Sequence, residues 1–524
     1  MKKLFVIILL VLLTLPAVNA LLHPGFFPSH DGEWMVIRLS AFHQALRDGQ
    51  FPVRWSIRLN HSFGYPVFNF LYPLPFYFGE LFYLVSGSLT QAIKLVFIGS
   101  FFASAMTMFI WLKSKFSFWP VLAGSLLYIY TPYRFVDTYV RGSVGESLGF
   151  VFIPVLFYAV DLLPQKPKAG VILGAFASAA TVLSHNVFVI FVILAAIYGW
   201  SSLPRPNVKQ LCLSLILGAA LSAYFWLPAL VELKYVYASR LPVANPIDHL
   251  ASFRQLVLPS WGYGASATGS GAMSMQIGLV NLGLILASLI FLRRNLFLIT
   301  SLVAIFFMHR LAGPFWSILP GVFVIQFPWR LLSLTTFATA VLAAYLIKKP
   351  GVAIFVGSLA ILINLSYARP QKFTFLPDTY YATNEDTTTV RSEYLPLWVT
   401  QPPTRRIPER AVFVSGEGDI TEFKETNTQI HFLVEPVQKE PTAIVKVNQL
   451  YYPGWLVTVN GKPVPVDISY NGVMAFTVPK IRSGVLIRWQ EPAYRQIVDY
   501  LSLITLFALI SHSVYHLWRR FFLA

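Results

Sequence analysis

Apolar runs of roughly membrane-crossing length recur along most of this chain, separated by short polar stretches, and only a region near the C-terminus trades that rhythm for alternation of apolar and polar residues. Runs suited to a ~30 Å hydrocarbon core are predicted as helices at about 94–112, 118–131, 147–163, 170–184, 186–201, 208–228, 276–292, 295–308, 329–347, 351–366 and 497–516. The N-terminal MKKLFVIILLVLLTLPAVNA adds a further one, giving about twelve spans. Its basic start and the small residues Val18 and Ala20 have signal-peptidase spacing. The reading adopted is a retained first helix; cleavage would leave the next segment on the same side.

Basic residues fix the threading. Lys2/Lys3, Lys113/Lys115, Lys166/Lys168, Arg205/Lys209, Arg293/Arg294, Lys348/Lys349 and Arg519/Arg520 sit in short stretches beside apolar runs. Short loops rich in Lys and Arg face the cytoplasm, so both termini are expected there. Every Asp and Glu except Asp161 then falls outside or at an outer helix end. The stretch FNFLYPLPFYFGELFYLV, Phe68 to Val85, would invert this threading if it crossed; its prolines, glutamate and aromatics suit a helix lying in the headgroup region. Outer segments are expected at about 23–93, 229–275 and 367–496.

The last of these reads as a domain. ITEFKETNTQIHFLVE and TAIVKVNQLYYPGWLVTVNGKPVPV tend to alternate, and Asn460-Gly461 between such runs is a hairpin signal. The expected fold is thus a polytopic α-helical membrane domain over 1–366, an extracytoplasmic antiparallel β-sandwich over 367–496, and a final helix and cytoplasmic tail over 497–524.

Composition agrees: 56% hydrophobic residues against 12% charged are too apolar for a soluble enzyme of 524 residues. A net charge of +17 could suggest nucleic acid, but the cations flank apolar runs, where anionic lipid headgroups are the expected partner. The single cysteine, Cys212, excludes an intrachain disulfide and a cysteine-based metal site. No P-loop, GxGxxG, HExxH or GxSxG pattern directs a soluble-enzyme reading.

The candidate chemistry begins at Ser29-His30-Asp31-Gly32-Glu33-Trp34, soon after the first helix. Asp31 and Glu33 could hold a divalent metal, or one could take a proton from a hydroxyl; the plainer reading is a solvated turn with a helix cap. Arg134, Asp137, Arg141 and Glu146 lie near the outer ends of two predicted spans. Charges so close to hydrocarbon are costly unless paired or hydrated, and they mark either a functional site or a loop pinned by mutual salt bridges.

An N-terminal helix, an outer loop opening on an acidic motif, an amphipathic juxtamembrane stretch and a multi-helix body resemble the GT-C superfamily of lipid-sugar-dependent glycosyltransferases. HDGEWMVIRLSAFHQAL, FGYPVFNFLYPLPFYFG, TPYRFVDTYVRGSVGESLG and SEYLPLWV resemble the bacterial membrane proteins grouped as "6-pyruvoyl-tetrahydropterin synthase-related". The chain has no histidine cluster of the kind that a soluble pterin synthase uses for zinc. YYPGWLVTVNGKPV, followed by a final helix, is similar to the tail of bacterial multipass proteins implicated in glycosylating cell-envelope polymers.

The resemblance implies that Asp31 is the general base or a metal ligand, with Glu33 its companion and Asp137 or Glu146 the second acidic residue. It also implies a polyprenyl-phosphate-linked sugar as donor and an envelope glycan or protein as acceptor. A leaving phosphate needs cations at headgroup depth. Arg330, in Gln326-Phe327-Pro328-Trp329-Arg330, comes first, then His309 and Arg310, with Arg134 and Arg141 as further candidates. Arg330 reads equally well as a snorkelling anchor beside Trp329. His43 and His185 read as structural, and the aromatics of 65–83 as packing. The competing functions are a transporter or flippase for a lipid-linked glycan, and an assembly factor. A transporter should carry its polar residues near mid-bilayer, whereas here they gather at the outer ends.

Overall fold

The computed structural model describes residues 3–241, 244–266, 271–318, 325–437 and 442–522. Lys2, residues 267–270 of the expected 229–275 segment, and the side chains of Lys3, Arg519 and Arg520 lie outside the described set.

Most of the expected helices form where the apolar runs are. Among the described residues seven are long and apolar enough to cross a membrane: Leu4–Leu22, Leu89–Lys113, Val144–Leu162, Pro167–Ser184, Pro328–Leu346, Pro350–Tyr367 and Ala493–Tyr515. The 208–228 run is not one straight span. It divides into Arg205–Leu221 and a helix beginning at Ala223, bent by 68°. Phe118–Ile129, Asn186–Ser202, Leu279–Phe291 and Leu296–Met308 are apolar but shorter. The 68–85 stretch divides too, into Val67–Phe70 and Leu74–Ser86, on either side of Pro73. The second piece buries Phe76 and Gly79 and exposes Leu81, Leu84 and Val85, as a helix with one face on the protein should.

Aromatic packing fills the helical body: Phe337 contacts Trp111, Phe157, Phe191 and Phe297, with ring centroids 5.4, 4.7, 5.8 and 5.9 Å away. One end of the bundle collects the basic turns. Asp161 accepts from Trp111 Nε1 and Tyr198 Oη at 2.7 Å each and pairs with Lys115 at 2.7 Å, joining the ends of three helices. At the opposite end of these helices lie the 137–146 segment, His185 and Arg330.

The β domain is a two-layer sandwich. One sheet has the order β1-β4-β7 (Ala411–Ser415, Thr442–Leu450, Val473–Pro479). The other runs β2-β3-β8-β5-β6 (Gly418–Glu425, Gln429–Pro436, Ser483–Trp489, Trp455–Val459, Lys462–Pro463). All pairings are antiparallel. Alternation does the sorting: Ile430, Phe432 and Val434 face inward, and Phe432 meets Phe476 of the other sheet at 6.5 Å. Asn460 and Gly461 both have positive φ, 50° and 75°, as a two-residue hairpin turn between β5 and β6 requires. The first strand begins at Ala411, so 367–410 is chiefly irregular chain, some of it lying along the 23–93 segment.

A buried ion cluster locks the domain to the helices. Glu232 and Arg495 are both 0% exposed and are joined by bonds of 2.5 and 2.7 Å. Glu232 also accepts from Asn69 Nδ2 at 2.8 Å, Tyr452 Oη at 2.7 Å and Tyr494 Oη. With both carboxylate oxygens multiply satisfied, the burial cost of the charge is met. Trp55 beside it contacts Tyr452, Trp455 and Trp489, at 5.8, 6.1 and 5.7 Å.

Candidate functional site

Two loops meet backbone to backbone at the end of the bundle away from Asp161. His30 N–H and Asp31 N–H donate to the carbonyls of Val140 and Arg141, at 3.0 and 2.8 Å. Gly32 and Gly142 make the approach feasible. A Cβ at Gly142 would lie 2.6 Å from the Gly32 backbone, and Gly142 has φ +67°. Gly142→Ala should therefore part the loops, costing about 1–3 kcal/mol in backbone strain alone, read as a lower melting temperature than that of the wild type.

Asp31 is the N-cap residue of helix Gly32–Arg47, yet its side chain makes no capping hydrogen bond; Ser29 Oγ accepts from Gly32 N–H instead, at 3.1 Å. The half-buried carboxylate is left close enough for its charge to act on Tyr72 and Arg141. Glu33 turns elsewhere. Burial raises its carboxyl above the usual range, against the pull of Lys372, and its charge acts on Tyr381.

Facing Asp31, a stretch of π-helix, Val136–Arg141, brings Asp137 and Arg141 onto one side with Glu146. Arg141 Nη1 donates to Asp137 Oδ1 at 2.8 Å and Glu146 Oε1 at 2.7 Å, while its guanidinium lies 4.5 Å over Trp329. Tyr133 Oη donates to Glu146 Oε2 at 2.6 Å. Asp137 Oδ2 is buried with no partner among the described residues. Burial first, then the Glu146 carboxylate, push Asp137 well above the usual carboxylate range, against Arg141 and Arg134. Asp137 thus keeps its proton to higher pH than a surface carboxyl.

Arg330 stands at the mouth of this cluster. Its Nε is 3.4 Å from Glu146 Oε1 without hydrogen-bond geometry, and its side chain is 12% exposed. Phe327 and Trp329 hold the guanidinium over their rings at 5.2 and 5.7 Å. His185 Nε2 is 3.7 Å from Glu146 Oε1; burial pushes the imidazole down to about 3, so it is neutral at physiological pH.

Arg134 is turned into the helical body. It stacks between Phe101 and Phe150, at 4.5 and 4.3 Å, and donates to Ser104 Oγ and Ser147 O; burial lowers it to about 10. His309 accepts from Leu311 N–H at 3.2 Å and pairs with Ala251, and Arg310 is exposed. Asp31, Asp137, Arg141, Glu146 and Arg330 therefore converge, whereas the contacts of Glu33, Arg134, His309 and Arg310 lie elsewhere. Among the described residues no group of three or more His, Cys, Asp or Glu could hold a metal. The Asp137 and Glu146 carboxylates are already bridged by Arg141.

Sequence reasoning did not single out Arg38, read His185 as structural, and read Tyr72, among the aromatics of 65–83, as packing. Tyr72 packs its ring at a tilt against His185, centroids 4.6 Å apart, and lies within reach of the charges of Arg38, Asp31, Arg330 and Glu146. Arg38, two turns along the helix that Asp31 opens, donates to Thr388 Oγ1 at 3.0 Å and to the Thr388 carbonyl. No local pattern marks these three; only the chain's return places them together.

Beside the cluster lies an apolar cavity of about 820 Å³ between helices Pro167–Ser184, Val189–Ser202 and Arg205–Leu221. Its polar lining includes Asn186, next to His185, Gln326, four residues before Arg330, and Tyr394, which feels Arg38 and Arg330.

No family model matches the chain. A protein of Lactococcus lactis subsp. cremoris (strain MG1363), described as "Uncharacterized protein", is 25% identical over 243 residues, 43% of this chain; the match spans 39% of that relative's length. Among solved structures, the mycobacterial arabinofuranosyltransferase AftD is similar with a TM-score of 0.47 and 14% identity, over 75% of this chain and 27% of AftD. The Archaeoglobus fulgidus oligosaccharyltransferase in its apo form gives 0.43 and 12%, over 73% of this chain and 56% of that one.

Proposed function

We propose that the chain is a membrane glycosyltransferase of GT-C type, which moves a sugar from a polyprenyl-phosphate donor to a hydroxyl of an extracytoplasmic envelope acceptor. The observation that carries this reading is an uncapped, half-buried carboxylate, Asp31, whose loop is bonded to the Arg141–Glu146 cluster that the Arg330 guanidinium faces, beside an apolar cavity. The acceptor oxygen attacks the anomeric carbon, the bond from that carbon to the phosphate oxygen breaks, and the electron pair leaves with polyprenyl phosphate. The acceptor proton passes to Asp31, and Arg330 stabilises the charge that grows on the phosphate. The Asp137–Arg141–Glu146 cluster and Tyr72 hold the two sides of the mouth in register. The prenyl chain would occupy the apolar cavity.

The placement of charge favours transfer over transport: the functional cluster sits at helix ends rather than midway along them. The test is transfer of labelled sugar by purified protein in vesicles, using a panel of polyprenyl-phosphate sugars. Arg330→Ala should lose about 10- to 100-fold in kcat/KM, since a hydrogen bond to a charged group contributes about 1.5–3 kcal/mol. If no donor supports transfer, while loss of the protein strands a lipid-linked glycan on the cytoplasmic leaflet, the transporter reading replaces this one.

A further inference from the structure

A second polar concavity, of about 490 Å³, opens farther along helix Gly32–Arg47, where Ser40, His43 and Gln44 face Arg58, Tyr83 and Thr383. Ser40 lies nine residues beyond Asp31, about 14 Å along the helix axis at ~1.5 Å per residue. We propose that this cleft binds an uncharged oligosaccharide, serving as the distal part of an acceptor glycan whose end is presented at Asp31. The acceptor role rests on the glycosyltransferase reading; the binding itself does not.

Backbone strain marks the cleft as built. Asn60, His61 and Ser62 are consecutive non-glycine residues with φ of 61°, 55° and 63°. L-residues enter this region singly and at a cost, so a run of three persists only where its surroundings impose it. His61 N–H donates to the Glu385 carbonyl and Ser62 Oγ to Glu385 Oε1, both at 2.7 Å, clamping the turn against the cleft wall. The turn follows Arg58, whose Nη2 donates to Ser40 Oγ at 2.5 Å, while its Nε is buried and unpaired. Arg58, which lines the open space, thus keeps an unused hydrogen-bonding atom.

Charge selects the ligand class. His43 pairs with Glu80 at 2.8 Å, Arg406 with Glu385 at 3.0 Å and Arg410 with Glu425 at 2.9 Å. With carboxylates and guanidiniums balanced in this way, the cleft presents donors and acceptors without a strong field of either sign. An anionic polymer gains little here, whereas a chain of hydroxyls can use both kinds of group. The Tyr83 ring, edge-on to His43 at 4.8 Å, supplies an apolar surface for the C–H face of a sugar.

The experiment applies full-length protein in lipid nanodiscs to a printed array of defined neutral, uronate-bearing and phosphate-bearing bacterial oligosaccharides. Wild type should retain one or more neutral glycans. Gln44→Trp, which fills the cleft from its half-exposed side, should weaken that binding at least tenfold, and Gln44→Ala, which cannot crowd the fold, should weaken it several-fold. Binding of charged glycans alone, no neutral binding, or neutral binding indifferent to both Gln44 variants would each overturn the proposal. Neutral binding that survives in a protein shown to transfer no sugar would leave the cleft standing and count against the glycosyltransferase reading instead.

Discussion

Asp31→Asn is expected to insert and fold like the wild type while transferring sugar ~10²–10⁴-fold more slowly, the usual loss when a general base is removed. The substitution keeps size and shape and deletes only the charge. Folding should survive because the Asp31 side chain makes no capping hydrogen bond, and the loop is held by the His30 and Asp31 backbone amides on Val140 and Arg141, which asparagine retains. Glu33→Gln should change the rate far less, since Glu33 faces Lys372 and Tyr381. The measurement is the initial rate of labelled-sugar transfer at saturating donor, beside a melting curve for each variant. A full-rate Asp31→Asn protein would remove Asp31 from the chemistry.

Arg495→Ala should be the most destabilising single change away from the site. It strips three hydrogen bonds from the cluster and leaves the Glu232 carboxylate, 0% exposed, facing only Asn69, Tyr452 and Tyr494. Breaking a buried pair by removing one partner costs about 3–5 kcal/mol. The cluster ties Asn69 of the first long polar segment to Tyr452 of the β domain and to the last helix, so the loss should appear as faster proteolysis of the 411–489 sandwich and a lower melting temperature. Adding Glu232→Gln to Arg495→Ala should recover part of it, because no unpaired charge then remains. A double variant as unstable as the single one would mean that side-chain packing, rather than the ion pair, holds the domain.

How much of this was legible in the sequence depends on the range of the signal. Apolar runs gave helices near their expected places because hydropathy is local, and Asn460-Gly461 gave its hairpin because only a few residue types accept two positive φ values in succession. The bend between Leu221 and Ala223 was not legible; Ser222 sits in a continuous apolar run, and its hydroxyl bonds to the Gly218 carbonyl only once the helix exists. Asp31, the 137–146 charges and Arg330 were readable because charge near hydrocarbon is costly and therefore conspicuous. Depth along a helix says nothing of lateral position, however, and so His309 and Arg310 stood next after Arg330 although they contact the 251 region instead. Glycines 32 and 142 stood in plain sight as parts of HDG and RGS, but their reason, the contact of one backbone with another, is tertiary.

The central claim is that one mouth, between Asp31 and Arg330, receives a lipid-linked sugar. Cryo-electron microscopy of the protein in nanodiscs with a polyprenyl-phosphate sugar analogue whose glycosidic oxygen is replaced by carbon tests it most directly. The expected map places the phosphorus group against Arg330, the anomeric carbon toward Asp31, and the prenyl chain in the cavity lined by Asn186, Phe225 and Trp226. Ordered analogue at any other face of the helical body, with the space between Asp31 and Arg330 empty, would contradict it.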